Sequence, residues 1–67
     1  MTKYSVGDRL RHKEVGRVFV VEAVRTSLPP SGRTGYELLE ESAEFHDPFL
    51  IRRFESEVDR DFELVQQ

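Results

Sequence analysis

The feature that most constrains this chain is the short distance between its turn signals. Glycine or proline interrupts the 67-residue sequence at Gly7, Gly16, Pro29, Pro30, Gly32, Gly35 and Pro48. Glycine permits positive φ and proline has no backbone N–H to donate, so both mark turns rather than the interior of a helix. The intervening segments are rich in β-branched and aromatic residues. The sequence therefore predicts short strands joined by turns.

Five segments are predicted to be strands. They are residues 9–13, 18–25, 36–40, 49–54 and 61–65. Residues 55–59 suit a single 3₁₀ turn, which Ser56 would cap. Five strands without a long helix bury a common interior only by curling into a barrel or by stacking as two sheets. We therefore expect residues 1–67 to form one all-β barrel domain with a long Pro/Gly loop at 26–35 and an acidic loop at 41–48.

The second predicted strand contains an unbroken apolar run, Val18-Phe19-Val20-Val21. A half-buried strand alternates apolar and polar residues, so this run has two interpretations. In the first, a bend near residues 20–22 lets residues of both parities reach the core. In the second, Phe19 and Val21 form an exposed face that meets a partner or a second subunit.

The turn and strand pattern resembles that of SH3-like small barrels. Val6-Gly7-Asp8-x-Leu10 followed by Gly16-x-Val18-x-Val20-Val21-x-x-Val24 is similar to the opening hairpin of the KOW and CarD/Tudor-type branches. Phe54-Glu55-Ser56-Glu57-Val58 followed by Phe62-Glu63-Leu64-Val65 is similar to their close. The resemblance implies a five-stranded SH3-like barrel with a 3₁₀ turn before the last strand. Small proteins of bacteria and phages are the nearest grouping that it offers.

Charge is distributed unevenly along the chain, whose net charge is −3. Residues 1–35 contain seven Lys and Arg against three acidic residues, whereas residues 36–67 contain three Arg against ten acidic residues. In a small barrel the two halves fold onto each other, so cross-strand ion pairs account for part of this asymmetry. The other interpretation is a basic patch with a binding role.

Several functional classes are disfavoured by what the sequence lacks. It has no cysteine, no nucleophile elbow, no phosphate-cradling glycine loop and no HExxH pair. We therefore expect no enzyme activity, no catalytic residues, no metal site and no cofactor. No apolar run approaches the ~20 residues that span a bilayer, and no signal peptide is recognisable. We expect a cytoplasmic protein that does not bind membranes.

The preferred functional hypothesis is a non-enzymatic adaptor that binds a protein partner, either alone or as a homodimer. Long loops on rigid scaffolds often carry binding, and exposed strand edges accept other strands. The candidate partner-binding residues are Phe19, Val21, Pro29, Pro30, Arg33 and Tyr36.

The alternative hypothesis is nucleic-acid binding through a basic patch, as in modules of transcription, translation or DNA processing. Phosphate neutralisation requires clustered cations, and single-strand binding adds exposed aromatic residues. The candidate patch residues are Arg9, Arg11, Lys13, Arg17, Arg52 and Arg53.

Overall fold

The computed structural model describes residues 2–41 and 46–65, with the backbone but not the side chain of Leu28. These residues form one five-stranded antiparallel sheet and one short helix. In chain order the elements are β1 (Arg9–His12), β2 (Val18–Leu28), β3 (Arg33–Glu40), β4 (Leu50–Phe54), α1 (Glu55–Asp61) and β5 (Phe62–Leu64). The strand order is β4-β3-β2-β1-β5. The five predicted strands are confirmed, and within the described ranges β4 and β5 are two separate edges of an open sheet.

β2 alternates normally through its apolar run, with Phe19 and Val21 on one face and Val18 and Val20 on the other, and a bulge follows the run. Val21 lies opposite Leu38 and Val24 lies opposite Tyr36, with a register shift between Val21 and Ala23. Leu38 and Tyr36 are two positions apart and therefore share a face of the sheet. The extra residue in β2 places Val21 and Val24 on that same face although their spacing is odd. An irregularity therefore lies close to the predicted bend at residues 20–22, but it brings Val24 rather than Val18 or Val20 to the core face.

The core lies on one face of the sheet, and α1 packs against it. Its buried apolar residues are Tyr4, Leu10, Phe19, Val21, Tyr36, Leu38, Val58 and Phe62. The rings of Phe19 and Phe62 meet edge to face, with centroids 5.7 Å apart. Phe19 and Val21 have only 6% and 0% of their surface exposed, so the hypothesis of an exposed Phe19/Val21 face is wrong. These side chains are in the core because they point to the side of the sheet on which α1 packs.

The long loop expected at residues 26–35 is mostly strand. β2 extends to Leu28, β3 begins at Arg33, and these two residues pair across a four-residue turn, 29–32. A second register shift, between Arg25 and Leu28, accompanies a positive φ of 55° at Ser27. Only the turn contains proline, so the ladder continues on both sides of it. Residues 42–45 of the expected acidic loop lie outside the described ranges.

The segment before β5 is an α-helix of seven residues, not the expected 3₁₀ turn. Ser56 does not cap it, because Phe54 occupies the N-cap position and Ser56 lies inside the helix, where its hydroxyl accepts a hydrogen bond from Arg33 Nη2 at 2.9 Å. Instead the Glu57 carboxylate reaches back and accepts the Phe54 N–H at 2.8 Å. Glu55 and Glu57 in the first turn also interact favourably with the helix dipole.

None of the helical segments in the described part of the chain is long and apolar enough to cross a bilayer.

Candidate functional site

The sheet face opposite the core, hereafter the outer face, is formed by β2, β3 and β4 in three rows. Residues directly opposite each other in antiparallel strands share a face. The rows are Arg25–Gly35–Phe54, Ala23–Glu37–Arg52 and Val20–Leu39–Leu50. The third row is apolar, and its Leu50 is 52% exposed. The outer face therefore has an apolar end and a charged end.

A groove of about 400 Å³ occupies the charged end. Its lining residues are Arg25, Gly35, Tyr36, Glu37, Arg52, Arg53, Phe54 and Glu57. Gly35 lies between Arg25 and Phe54 in its row. Because Gly35 has no side chain, backbone forms the floor of the groove between those two larger residues.

The charges of the groove are only partly compensated. Glu37 pairs with Arg25 at 2.9 Å, and Glu57 is engaged at the start of α1. Arg52 and Arg53 form no ion pair among residues 2–41 and 46–65. Arg53 Nη1 donates instead to the Arg52 carbonyl at 2.7 Å.

A third arginine joins these two beside Phe54. The Arg33 guanidinium lies 3.8 Å from the centroid of the Phe54 ring and hydrogen-bonds Ser56 rather than a carboxylate. We call Arg33, Arg52 and Arg53 the arginine cluster. On a chain of net charge −3, the cluster makes this end of β4 locally positive, with Arg52 on the outer face and Arg53, opposite Tyr36, on the other face.

The groove borders the open edge formed by β4. Glu40 N–H donates to the carbonyl of Phe49, directly opposite, at 2.9 Å. This bond shows which residues of β4 turn their backbone N–H and C=O groups toward β3. Hydrogen-bonded pairs alternate along antiparallel strands, so the backbone groups of Ile51 and Arg53 face β3. Those of Leu50 and Arg52 point away from the sheet. This edge therefore presents unpaired ladder groups to a potential partner.

The predicted basic patch does not form. Arg9 and Arg11 lie on β1, whereas Arg52 and Arg53 lie on β4, and β2 and β3 separate the two strands. The sequence could not show this, because distance across a sheet depends on strand order.

Most of the lysines and arginines in residues 1–35 bind carboxylates or backbone carbonyls. Arg9 binds both carboxylate oxygens of Glu41 at 2.9 Å, Arg11 binds Glu63 at 3.1 Å, and Arg17 binds Glu40 at 2.9 Å. Lys13 donates to the carbonyls of Asp59 and Arg60. The predicted cross-strand pairing between the basic and acidic halves is confirmed.

The partner-binding candidates separate into two groups. Pro29, Pro30 and Arg33 are exposed, the prolines in the turn and Arg33 at the start of β3. Tyr36 is 1% exposed and belongs to the core with Phe19 and Val21, so its place on a surface is also wrong. Arg33 lies beside the groove, and the buried Tyr36 contributes to its lining.

Sequence analysis missed a buried carboxylate, Glu40, whose side chain is only 5% exposed. Its oxygens contact Arg17, His46 Nε2 at 2.8 Å and, less closely, the Phe49 N–H. The hydrogen bond with His46 is the main cause that lowers the pKa of the Glu40 carboxyl. The available signal was parity, since position 40 continues the buried series of positions 36 and 38.

Sequence analysis also missed a group of polar side chains that we call the tyrosine clamp: Lys3, Tyr4, Tyr36, Glu55 and Asp59. The Tyr4 hydroxyl donates to Asp59 at 2.8 Å, and the Tyr36 hydroxyl donates to Glu55. Lys3 Nζ pairs with Asp59 at 2.7 Å. The two rings meet edge to face at 5.5 Å. The clamp fastens the N-terminal segment to α1 across the end of the core.

Burial is the largest cause of the raised pKa values of the two tyrosines. It raises the pKa of Tyr4 to about 12, with the Asp59 hydrogen bond adding to the effect. Burial and the Glu55 hydrogen bond likewise raise the pKa of Tyr36. Both hydroxyls are engaged within the clamp, which gives the clamp a structural role.

Among residues 2–41 and 46–65, no three metal-ligating side chains come together. No protein-family model matches the sequence, and comparison with curated proteins and with solved structures gives no significant match. Functional inference therefore depends on the geometry of the outer face and its edge.

Proposed function

We propose that this protein is a small non-enzymatic module that binds another protein through the β4 edge and the adjoining groove. The observation that carries the proposal is the groove beside an open strand edge, flanked by three arginines without carboxylate partners in the described part of the chain. Recognition sites commonly combine an apolar surface with a few oriented polar groups. The outer face contains both.

We also propose that the sheet belongs to an SH3-like barrel. The supporting features are the long, bulged β2, the helical turn directly before β5, and the placement of β1 between β2 and β5. In such barrels the second strand contributes to both halves of the structure, which is the role that a bulge allows β2 to take.

Binding at this surface would use two kinds of contact. The outward N–H and C=O groups of Leu50 and Arg52 supply main-chain hydrogen bonds to an added strand. The apolar row Val20–Leu39–Leu50 and the groove receive side chains of the partner. Main-chain bonds contribute affinity, while the side-chain contacts set the choice of partner.

Nucleic-acid binding is the second candidate, and the arginine cluster beside Phe54 is the observation that favours it. Arginine and an aromatic ring together suit phosphate and base contacts. Against it, Glu37 and Glu57 line the same groove and would repel a backbone charged at every nucleotide, whereas a protein segment needs carboxylates only beside the arginines. The protein-binding proposal accommodates all of these charges better.

Capture from a nuclease-treated bacterial lysate tests the proposal with a matched pair of variants. Leu50→Ser removes an exposed apolar side chain from the outer face, and Val15→Ser removes one, 64% exposed, from the turn after β1. We expect proteins retained by the wild type to be retained by V15S and lost with L50S. Equal retention by all three would contradict the proposal. Retention that disappears on nuclease treatment would favour nucleic acid.

A further inference from the structure

We infer that the occupant of the β4 edge is an extended acidic segment of the partner protein, which adds to the sheet as a sixth strand. This inference rests on the proposed function and specifies the chemistry of the partner. It is carried by three independent properties of residues 50–54: backbone availability, charge and sequence.

The first property is that backbone N–H and C=O groups on the open side of β4 are free to pair with another strand. No hydrogen bond in the described structure uses the backbone N–H or C=O of Leu50 on the open side. The Arg52 carbonyl accepts only from the side chain of the adjacent Arg53. An amide of an incoming strand can take the place of that contact and release the Arg53 guanidinium. β4 contains no proline, glycine or bulge that would prevent pairing.

The second property is uncompensated positive charge on both sides of the strand. Arg52 and Arg53 are adjacent, so their side chains leave opposite faces of β4. An added strand that pairs with both arginines must therefore carry carboxylates at adjacent positions. Arg33, at the start of β3, lies over the Phe54 ring at the end of β4 and adds to the attraction for a negative segment. Arginine binds carboxylates through two parallel hydrogen bonds, which gives such a site geometric selectivity.

The third property argues against a second copy of this chain at the same edge. The β4 sequence, Leu-Ile-Arg-Arg-Phe, contains no carboxylate. An antiparallel β4–β4 pair centred on Arg52 would place two arginines directly opposite each other, which is destabilising. A pair centred on Ile51 would place Leu50 opposite Arg52 and leave the arginines without carboxylate partners. An acidic strand at this edge would pair with the outward backbone groups of β4 and give both arginines carboxylate partners.

Fluorescence anisotropy with a labelled peptide of about eight residues tests the inference. The peptide alternates valine and threonine around two adjacent central glutamates, and a control peptide has glutamines in their place. The variant R52Q/R53Q is compared with R11Q/R60Q. This control also loses two positive charges, but from exposed arginines outside the cluster. We expect the acidic peptide to bind the wild type and R11Q/R60Q about tenfold or more tightly than R52Q/R53Q. The glutamine peptide should bind the wild type more weakly by a similar factor.

Hydrogen exchange provides a readout that charge attraction alone would not change. Pairing of a sixth strand should slow exchange of the Leu50 and Arg52 amides when the acidic peptide is present. Absence of binding, equal binding of both peptides, or binding without this protection would each overturn the inference. Binding of a DNA or RNA oligonucleotide that R52Q/R53Q abolishes would assign the cluster to nucleic acid instead.

Failure here is distinguishable from failure of the proposed function. If the peptide does not bind but lysate capture still depends on Leu50, the module binds proteins by other chemistry and only the acidic strand is disproved. If capture is unaffected by L50S, the outer face is not a binding surface. Sedimentation at twice the 7.9 kDa chain mass, reversed by L50S and not by R52Q/R53Q, would instead indicate pairing of two copies.

Discussion

At the scale of single residues, the tyrosine clamp shows how a few polar groups fix the end of a small core. Tyr4 and Tyr36 are the only tyrosines in the chain, and both donate hydrogen bonds to carboxylates. Buried hydroxyls without partners would cost folding free energy, whereas these are satisfied on α1. A tyrosine pKa that is raised by folding favours the folded state below the unfolded value and ceases to do so as pH rises through the folded value.

Alkaline titration should therefore separate the folded and unfolded states. We expect less tyrosinate absorbance from the native than from the unfolded protein near pH 10, the ordinary tyrosine value, and ionisation of Tyr4 only toward about 12. In denaturant both tyrosines should titrate near 10. The free energy of unfolding should fall over this interval because the unfolded state loses protons first. Native and denatured titration curves that coincide would show that the clamp is open in solution.

At the scale of elements, α1 matters because it covers the core. Val58 is fully buried and is the side chain through which α1 joins the core cluster. Ser56 is exposed on the same helix, and it contacts Arg33 rather than the helix N-terminus. The helix is held by packing and by the Glu57 contact more than by intrinsic propensity, as expected for an element of seven residues.

Because Val58 is buried and Ser56 is exposed, alanine substitutions at these two positions should have different effects on stability. Val58→Ala removes two buried methyl groups and should lower the free energy of unfolding by about 2 kcal/mol. Ser56→Ala should change it by less than about 0.5 kcal/mol, whereas loss of a true N-cap costs about 1 kcal/mol. Urea unfolding measured by circular dichroism distinguishes these outcomes. A larger loss for S56A than for V58A would return Ser56 to the capping role that the sequence suggested.

The strands show which parts of an element the sequence can specify. Alternation from Tyr36 to Glu40 puts residues 36 and 38 on one face and 37 and 39 on the other, as observed, but it did not show that the face of 36 and 38 is the buried one. The same pattern failed at residues 26–35, where proline and glycine suggested a loop. There β2 and β3 extend because neighbouring ladder hydrogen bonds and a bulge at Thr26–Ser27 outweigh local turn propensity.

At the scale of the whole molecule, the acidic and basic halves neutralise each other across the sheet. Arg9, Arg11, Arg17 and Arg25 each bind a glutamate from the second half of the chain. Exposed pairs contribute little individually, so their main effect is to leave the arginine cluster as the distinct positive region. Glu40 differs from the other glutamates because it is buried among its partners.

Acid should therefore destabilise the protein through a small number of carboxylates. The pKa of Glu40 is lowered chiefly by His46, and the pKa of Asp59 chiefly by Lys3 and then by Tyr4. Carboxyl groups with lowered pKa values stabilise the fold above their unfolded values and lose that effect as pH falls through the folded values. We expect the urea midpoint to decrease progressively below about pH 4.5.

Glu40→Gln provides the control for this acid dependence. The variant should be less stable at neutral pH because Arg17 and His46 lose a charged partner, but its midpoint should decline less steeply in acid. Parallel pH profiles for wild type and E40Q would show that Glu40 makes no special contribution and that other carboxylates account for the acid sensitivity.

Local residue order was enough to locate the strand segments, and composition and charge favoured, without deciding, an irregularity in β2 and the pairing of opposite charges. Tertiary structure alone decided which residues are accessible and which cations are neighbours. Phe19, Val21 and Tyr36 became core residues, and Arg52 and Arg53 were separated from Arg9 and Arg11, because burial and proximity depend on strand order and on which face α1 covers. The open edge of β4 and the groove over Gly35 have the same origin: both exist only where distant segments of the chain come together.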